Sequence, residues 1–393
     1  MSLDLAQVVT QVEGLGKQAA QNLAERRRLL PLAQAALQAC AQTDPEELRR
    51  RVARAGPRWR GAAPTDEALL TTFPPPPLPG RLTVIGADGS QIHPDRHAAA
   101  TYYLVNVGSL VLTHGSDEVP TATSRPMLGY RDEELLNDRQ EVIEAEFVNA
   151  RRDVAEMGEL ARLAEAQSGS PSIALLDNGL LLWVALQEQE RRRKEVERLL
   201  VAYLTAMGRV QAAGVALGGI VDRPRGANLL SLAHLASLPE QEVADSARQI
   251  SPFRRLNDRQ ALADRLPAGH RSARFLVTSP LNADFREVQQ EVQFFYLNTG
   301  FHDQIARVEV PQWVGENAEL LNRLHAGLLE ECRITGIPYV LVRAHELAVV
   351  GQEDRRALEA LIQAALLEQG MPPEISQKAQ TKRWTSTKRR HRV

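Results

Sequence analysis

The sequence predicts an α/β protein with a helical amino-terminal arm. Three observations lead there: apolar residues at helical spacing in the first fifty positions, short apolar β-rich runs from Arg81 onward, and helical segments interleaved with those runs. At 393 residues, 44% of them hydrophobic, the chain is long enough for one large core or two smaller domains.

The arm comes first. Residues 3 to about 55 carry Leu5, Val8, Val9, Val12, Leu15, Leu29, Leu30, Leu32 and Leu37 at helical spacing, which predicts one or two long helices. The segment TTFPPPPLPGR, 71–81, cannot be helical, because four successive prolines lack N–H donors and favour an extended path. It separates the arm from the core. The expected divisions are therefore 1–75 for the helical arm and Pro-rich linker, 76–382 for the main domain and 383–393 for a basic tail.

From Arg81 onward LTVIGAD and TYYLVNVGSLVLTH read as strands, and a long helical stretch runs from about Asn137 to Ala166. The segment PSIALLDNG reads as a strand, followed by a helix from Leu181 to Met207. The alternating charges between Glu188 and Arg198 are those of a solvated helix face. VALGGIVD is another short strand, and 227–275 is helical and loop-rich. ARFLVTSP, VQFFYLNTG and IARVEVPQWV then read as antiparallel-type strands. A helix from Glu316 to Thr335 and a strand PYVLVRAHE close the core. LEALIQAALLEQG is an amphipathic helix before the tail.

Charge and cysteine content exclude several classes. Lys+Arg 47 against Asp+Glu 49 gives a net charge of −2, so nucleic-acid affinity has to come from local patches. Cys40 and Cys332 stand far apart with no CxxC pair, which excludes a cysteine-rich zinc module and argues against a disulfide scaffold. The first thirty residues lack the basic-then-apolar order of a signal peptide, and no run reaches the roughly 18 apolar residues of a membrane span. A cytoplasmic protein with no membrane partner is expected.

Three apolar strands are expected to end in an acidic residue: TVIGAD at Asp88, SIALLD at Asp177 and GGIVD at Asp222. A buried strand excludes water, so an ionised carboxylate belongs at its edge, where it is hydrated or holds a cation. DGS and DNG also make good turns, so a turn role competes with metal binding at each position. Two such groups on neighbouring strands could share Mg²⁺ or Mn²⁺, ions that suit hard oxygen ligands and phosphodiester hydrolysis. A further carboxylate would come from the helix over 137–166, where Glu144, Glu146, Glu156 and Glu159 are candidates that periodicity alone does not separate. His93 and His97, in HPDRH, either flank such a site or form a polar turn.

With ADGS, LLDNG, RVEVPQWV and GIPYVLVRAHELAVV in this order, the chain resembles the NurA nuclease family over roughly residues 80 to 382. The resemblance implies an RNase H-like core with a mixed five- or six-stranded sheet flanked by helices. It implies manganese-dependent DNA cleavage (magnesium being the alternative, with one or two ions), with 5′-to-3′ exonuclease and single-strand endonuclease activities. It also implies a homodimer that works with a HerA-type hexameric ATPase in end resection and double-strand break repair.

By the same resemblance Asp88 is the first metal-binding aspartate and Asp177 the second, with Asn178 where the family usually has glycine. An arginine four residues before a glutamate fits Arg152 and Glu156, with Glu159 and Glu146 as alternatives. His345 in RAHE matches a late histidine that binds metal or orients the attacking water. Asp88, Glu156, Asp177 and His345 thus form the expected catalytic and metal set. Ile337 stands where the family often has tyrosine, so that phenolic contact is either absent or moved to Tyr339 or Tyr296. The stretch VDRPRGANLL resembles a family loop, which makes Arg223 and Arg225 expected phosphate contacts. Asp222 is then either a third ligand or their ion-pair partner.

After Glu374 there is no acidic residue, and Lys378, Lys382, Arg383, Lys388, Arg389, Arg390 and Arg392 surround Trp384. Such density binds phosphates by releasing counterions, and the indole can stack on a base. Lys378 and Lys382 match family DNA-binding positions. Rival expectations are a catalytically weakened RNase H-like DNA-binding protein, suggested by Asn178 and Ile337, and an adaptor that docks an ATPase through its arm.

Overall fold

The apolar periodicity of the arm becomes two helices, α1 (Val9–Ala41) and α2 (Pro45–Ala55). In α1 the buried residues, Leu29, Ala33, Leu37 and Cys40, lie in the second half. Helix α2 starts where Asp44 accepts from the Glu46 N–H and Pro45 takes the first position, and it stops at Gly56 with φ of 79°. This computed structural model describes residues 5–95, 98–136, 140–187, 194–302 and 304–371. The chain forms two units. The first joins Met1–Pro79, Asn178–Leu181 and Ala216–Pro338; the second joins Gly80–Asp177, Leu182–Val215 and Tyr339–Val393.

Along the chain the first unit continues with two short strands, β1 (Ala62–Pro64) and β2 (Thr72–Phe73). The second unit then opens with β3 (Leu82–Ile92), β4 (Tyr103–His114) and β5 (Thr121–Gly129). It goes on through α3 (Asp132–Leu135), α4 (Ala145–Ala166), β6 (Ser172–Leu176), α5 (Trp183–Gln187) and α6 (Lys194–Ala212). The first unit resumes with β7 (Ala216–Val221), α7 (Asn228–Ser237), α8 (Asp258–Leu262), β8 (Arg271–Ser272), β9 (Phe275–Val277) and α9 (Pro280–Glu287). It ends with β10 (Val292–Asn298), β11 (Ile305–Pro311), α10 (Gln312–Gly315) and α11 (Ala318–Cys332). The last helices, α12 (Tyr339–Ala348) and α13 (Gln352–Glu368), belong to the second unit.

The second unit is a mixed sheet flanked by helices. Strands β3, β4 and β5 form an antiparallel meander, while β6 lies parallel to β3 on its other side, from Thr83↔Ser172 to Ala87↔Leu176. A parallel neighbour needs a crossover, here supplied by α4. Val84, Ile85 and Ala87 are buried together with Ile173, Ala174 and Leu175, the near-continuous apolar signature of strands covered on both faces. The first unit carries antiparallel strands in the order β1-β9-β10-β11-β7, with β8 pairing both β10 and β2. Its centre is β10 and β11, buried at every position. Cys40 and Cys332 are buried free thiols. Among the described residues no helix is long and apolar enough to cross a membrane.

Several expectations change. PYVLVRAHE is not a strand but the body of α12. Its buried residues Val340, Leu341, Ala344 and Ala348 recur with a helical period, while Arg343, His345 and Glu346 are exposed. Strand β5 carries no apolar alternation, since it is an exposed edge strand that contains Pro126. With the very short β1, β2 and β8 it takes the strand count among the described residues to eleven, above the five or six expected. The helix expected over 137–166 begins at Ala145. The one expected from Leu181 to Met207 is α5 and α6, with the charged stretch 188–193 outside the described residues.

Candidate metal centre

Asp88 does not end a strand. β3 runs on through Gly89 and Ser90 to Ile92, so ADGS is strand and not turn, and Asp88 lies opposite Gly108 of β4. Strand alternation sends Gly86, Asp88 and Ser90 to one face and Gly89 and Gln91 to the other. The first face meets α12: a Cβ on Gly86 would lie 2.9 Å from the Val340 carbonyl, and the Ser90 hydroxyl donates to the Ala348 carbonyl. A Cβ on Gly108 would lie 2.2 Å from the Ala344 carbonyl oxygen. Two glycines on adjacent strands therefore let the helix backbone rest on the sheet. That close approach brings His345 Nδ1 to 2.6 Å from Asp88 Oδ2, with the imidazole 63% exposed and the aspartate 16%.

The second face meets α4. A Cβ on Gly89 would stand 2.5 Å from Glu156 Oε1, so glycine at this position admits the glutamate against the β3 backbone. Asn149, Arg152, Asp153 and Glu156 share one helix face at i, i+3, i+4 and i+7 spacing. Arg152 reaches Gln91 Oε1 at 3.1 Å, Asp153 Oδ1 at 2.7 Å and Glu156 Oε1 at 3.0 Å. Glu156 is buried, and that burial drives its pKa well above the ordinary carboxylate range; Arg152 opposes the shift, and the charges of Asp153, Asp88 and Asp177 add to it.

The alternatives to Glu156 have different surroundings. Glu159 accepts from Ser109 Oγ at 3.0 Å, Arg125 Nη1 at 3.0 Å and Arg162 Nε at 2.9 Å. Burial would raise its pKa, but these donors, Arg162 foremost, hold it down at about 2, and its oxygens are occupied. Glu146 is exposed in the first turn of α4.

Asp177 follows the last residue of β6, is exposed, and occupies the position next after the registered pair Ala87↔Leu176. Continued by one residue, the parallel register leads to Asp88 on β3 and to Asp177 just past the end of β6. Asn178 accepts the Gly179 N–H at 2.9 Å, so its side chain closes the turn that follows.

Three carboxylates and an imidazole suit a hard divalent cation. Among the described residues no three His, Cys, Asp or Glu side chains converge on one point as a closed cage would. What the chain offers is one aspartate on β3 and one just past the end of the neighbouring β6, and small hard cations are commonly held by one or two carboxylates with water and phosphate oxygens completing the shell. The donor set fits such an ion.

The model of the NurA domain matches residues 82–350, more than half of the chain, and spans every residue of this site. The chain belongs to the NurA domain family. That membership supports a nuclease. No curated protein matches the sequence. Among solved structures the chain resembles the NurA nuclease from Sulfolobus solfataricus, at 13% identity and a TM-score of 0.49 over 90% of this chain and 98% of that one. It also resembles NurA bound to dAMP and manganese, at 12% identity and 0.38 over 92% and 97%. A third likeness is to the catalytic domain of human Endonuclease V, at 15% and 0.33 over 81% and 96%. The family assignment rests on the match over 82–350 and not on these distant likenesses.

In this NurA-family chain the other expected residues have varied surroundings. Asp222 accepts from Gln304 and lies 3.9 Å from Arg223, the ion-pair arrangement. Arg223 and Arg225 are exposed, Arg223 with φ of 49°. His93 hydrogen-bonds Asn149 at 3.0 Å. Tyr296 is fully buried and donates to Asp258 at 2.6 Å, whereas Tyr339 is exposed at the start of α12. His97, Lys378, Lys382 and the rest of the basic tail lie outside the described residues. Sequence reading missed Gly86, Gly89 and Gly108, whose function is close approach. Gly89 alone had a signal, as the middle of DGS.

Proposed function

We propose that this chain is a metal-dependent deoxyribonuclease with 5′-to-3′ exonuclease and single-strand endonuclease activities. The observation that carries the reading is that Asp88 and Asp177 each directly follow the registered pair Ala87↔Leu176, with His345 hydrogen-bonded to Asp88, inside the family match. A bound Mn²⁺ or Mg²⁺ would supply Lewis acidity, activating water and neutralising the leaving oxygen. Asp88 and Asp177 would hold it. His345 orients the Asp88 carboxylate through Nδ1 and, being exposed, also presents its ring to substrate and water. Glu156, buried beside the pair, adds negative charge that disfavours ionising all three carboxylates together without a cation.

The finer reading follows the family: a cytoplasmic homodimer that acts with a HerA-type hexameric ATPase in DNA end resection and double-strand break repair. Arg223, Arg225, Lys378 and Lys382 contact phosphates. The test is degradation of end-labelled single- and double-stranded DNA with added Mn²⁺, by wild type, Asp88→Ala and Asp177→Ala. Wild type cuts, and each variant loses at least about 10³-fold while keeping its circular dichroism spectrum, because neither carboxylate belongs to the apolar core. Intact DNA after wild-type incubation would end the nuclease reading, and equal cutting by both variants would place the chemistry elsewhere.

A further inference from the structure

We infer that Asn106 and Ser90 are positioning residues for His345: together they grip the carboxyl end of α12 and so hold the imidazole against Asp88. This rests on the nuclease reading for its functional meaning, and on geometry alone for the grip. The last carbonyls of a helix have no intrahelical partner. In α12 those of Leu347 and Ala348 are met by Asn106 Nδ2, at 3.2 Å and 2.9 Å, and the Ser90 hydroxyl donates to Ala348 as well. Ser90 and Asn106 are a registered pair on β3 and β4, two residues from the pair Asp88↔Gly108. The site and its clamp are thus carried by one stretch of ladder.

The Asn106 amide is itself fixed. Ser124 Oγ of β5 donates to Asn106 Oδ1 at 3.0 Å, which turns the Nδ2 donors toward the helix. Asn106 is 7% exposed, so its donors have little water to fall back on. An apolar face such as Val340, Leu341, Ala344 and Ala348 resists separation from the sheet but opposes sliding along it weakly. Directional bonds at the helix end fix the axial position. His345 is three residues from Ala348, so a slip of one residue rise, about 1.5 Å, carries its ring away from Asp88. Asp88 then loses the donor that orients it.

The test uses the full chain and four proteins. Asn106→Asp keeps the volume but sets an acceptor against the Leu347 and Ala348 carbonyls. Ser90→Ala removes the second donor from a half-buried position. Thr113→Val is the control, because Thr113 sits on the same strand with its hydroxyl 3.1 Å from Thr83, away from α12. Mn²⁺ affinity by calorimetry and kcat and KM on labelled DNA are the readouts. Asn106→Asp should weaken Mn²⁺ binding and lower kcat by roughly 10- to 100-fold with KM for DNA unchanged, as loss of an outer partner does. Ser90→Ala should shift both in the same direction by less, and Thr113→Val should leave both at wild-type values.

Wild-type Mn²⁺ affinity and kcat in Asn106→Asp, or equal losses in Thr113→Val, would overturn the inference. If Asn106→Asp does not fold, Ser90→Ala decides alone, and unchanged values there overturn it. A wild-type chain that binds Mn²⁺ but cuts no DNA would end the nuclease reading, while the affinities of the variants still decide the clamp.

Discussion

Glu156 and Glu159 stand three residues apart on α4 and experience opposite electrostatics. Burial beside Asp88 and Asp177 raises the pKa of Glu156, whereas Arg162, Arg125 and Ser109 overcome burial at Glu159 and bring it to about 2. The signs follow by linkage. A raised native pKa means that the fold binds more protons than the unfolded chain, so Glu156 costs stability increasingly as pH rises above 4.5. Glu156→Gln should therefore melt at a higher temperature than wild type at pH 8 while losing up to about 10²-fold in activity. Glu159 works the other way: its contribution is complete above pH 4.5 and gone as pH falls to 2. Glu159→Gln should cost about 1–2 kcal/mol at pH 7, after discounting its half-exposed arginine partners, with the gap to wild type closing over that acid window in denaturant titrations. The spacing of Arg152 and Glu156 is visible in the sequence. The donors that occupy Glu159 are not, because Ser109 and Arg125 come from two other strands.

Among whole elements, legibility followed period and length. β3, β4, β6, β7, β10 and β11 were legible because buried strands read as apolar runs, and α4, α6 and α11 because their apolar residues repeat every three to four positions. PYVLVRAHE reads as a strand because Val340, Leu341 and Val342 form an apolar run with β-branched residues at both ends. Its helical period emerges only when burial separates Ala344 and Ala348 from the exposed residues between them. Asp88 reads as a strand end for a related reason, since a carboxylate and two small residues look like one when nothing marks the helix lying over them. The glycines carry that hidden contact. Gly108→Ala would drive a methyl group to 2.2 Å from the Ala344 carbonyl oxygen. It should cost about 2–3 kcal/mol in urea unfolding and reduce DNA cleavage together with Mn²⁺ affinity, since His345 rides on the displaced helix. Gly158→Ala on α4, with nothing within 4 Å of the new Cβ, should instead stabilise by about 0.5–1 kcal/mol and leave cleavage unchanged. A Gly108→Ala chain with wild-type melting and activity would mean that α12 does not need its seat on β4.

For the molecule as a whole, charge is the property that sequence reports well and location badly. A net charge of −2 gives no general attraction to DNA, so affinity has to reside in a few concentrated places. The tail after Glu374 holds seven cationic side chains and no acidic one, while Arg223 and Arg225 form a smaller exposed pair. On single-stranded DNA each phosphate neutralised adds about 0.7 to the slope of log K against log salt concentration. Anisotropy titrations across salt, comparing the full chain with one ending at Glu374, should show the slope falling by roughly 2 to 5 and affinity dropping most at low salt. Arg223→Ala and Arg225→Ala should each remove about 0.7 from the slope without changing sequence preference, since phosphate contacts position and do not specify. Because the aspartate pair stays intact in all three proteins, kcat at saturating DNA should hold while KM rises. A shortened chain with an unchanged slope would assign DNA capture to other surfaces and leave the tail without a part in it.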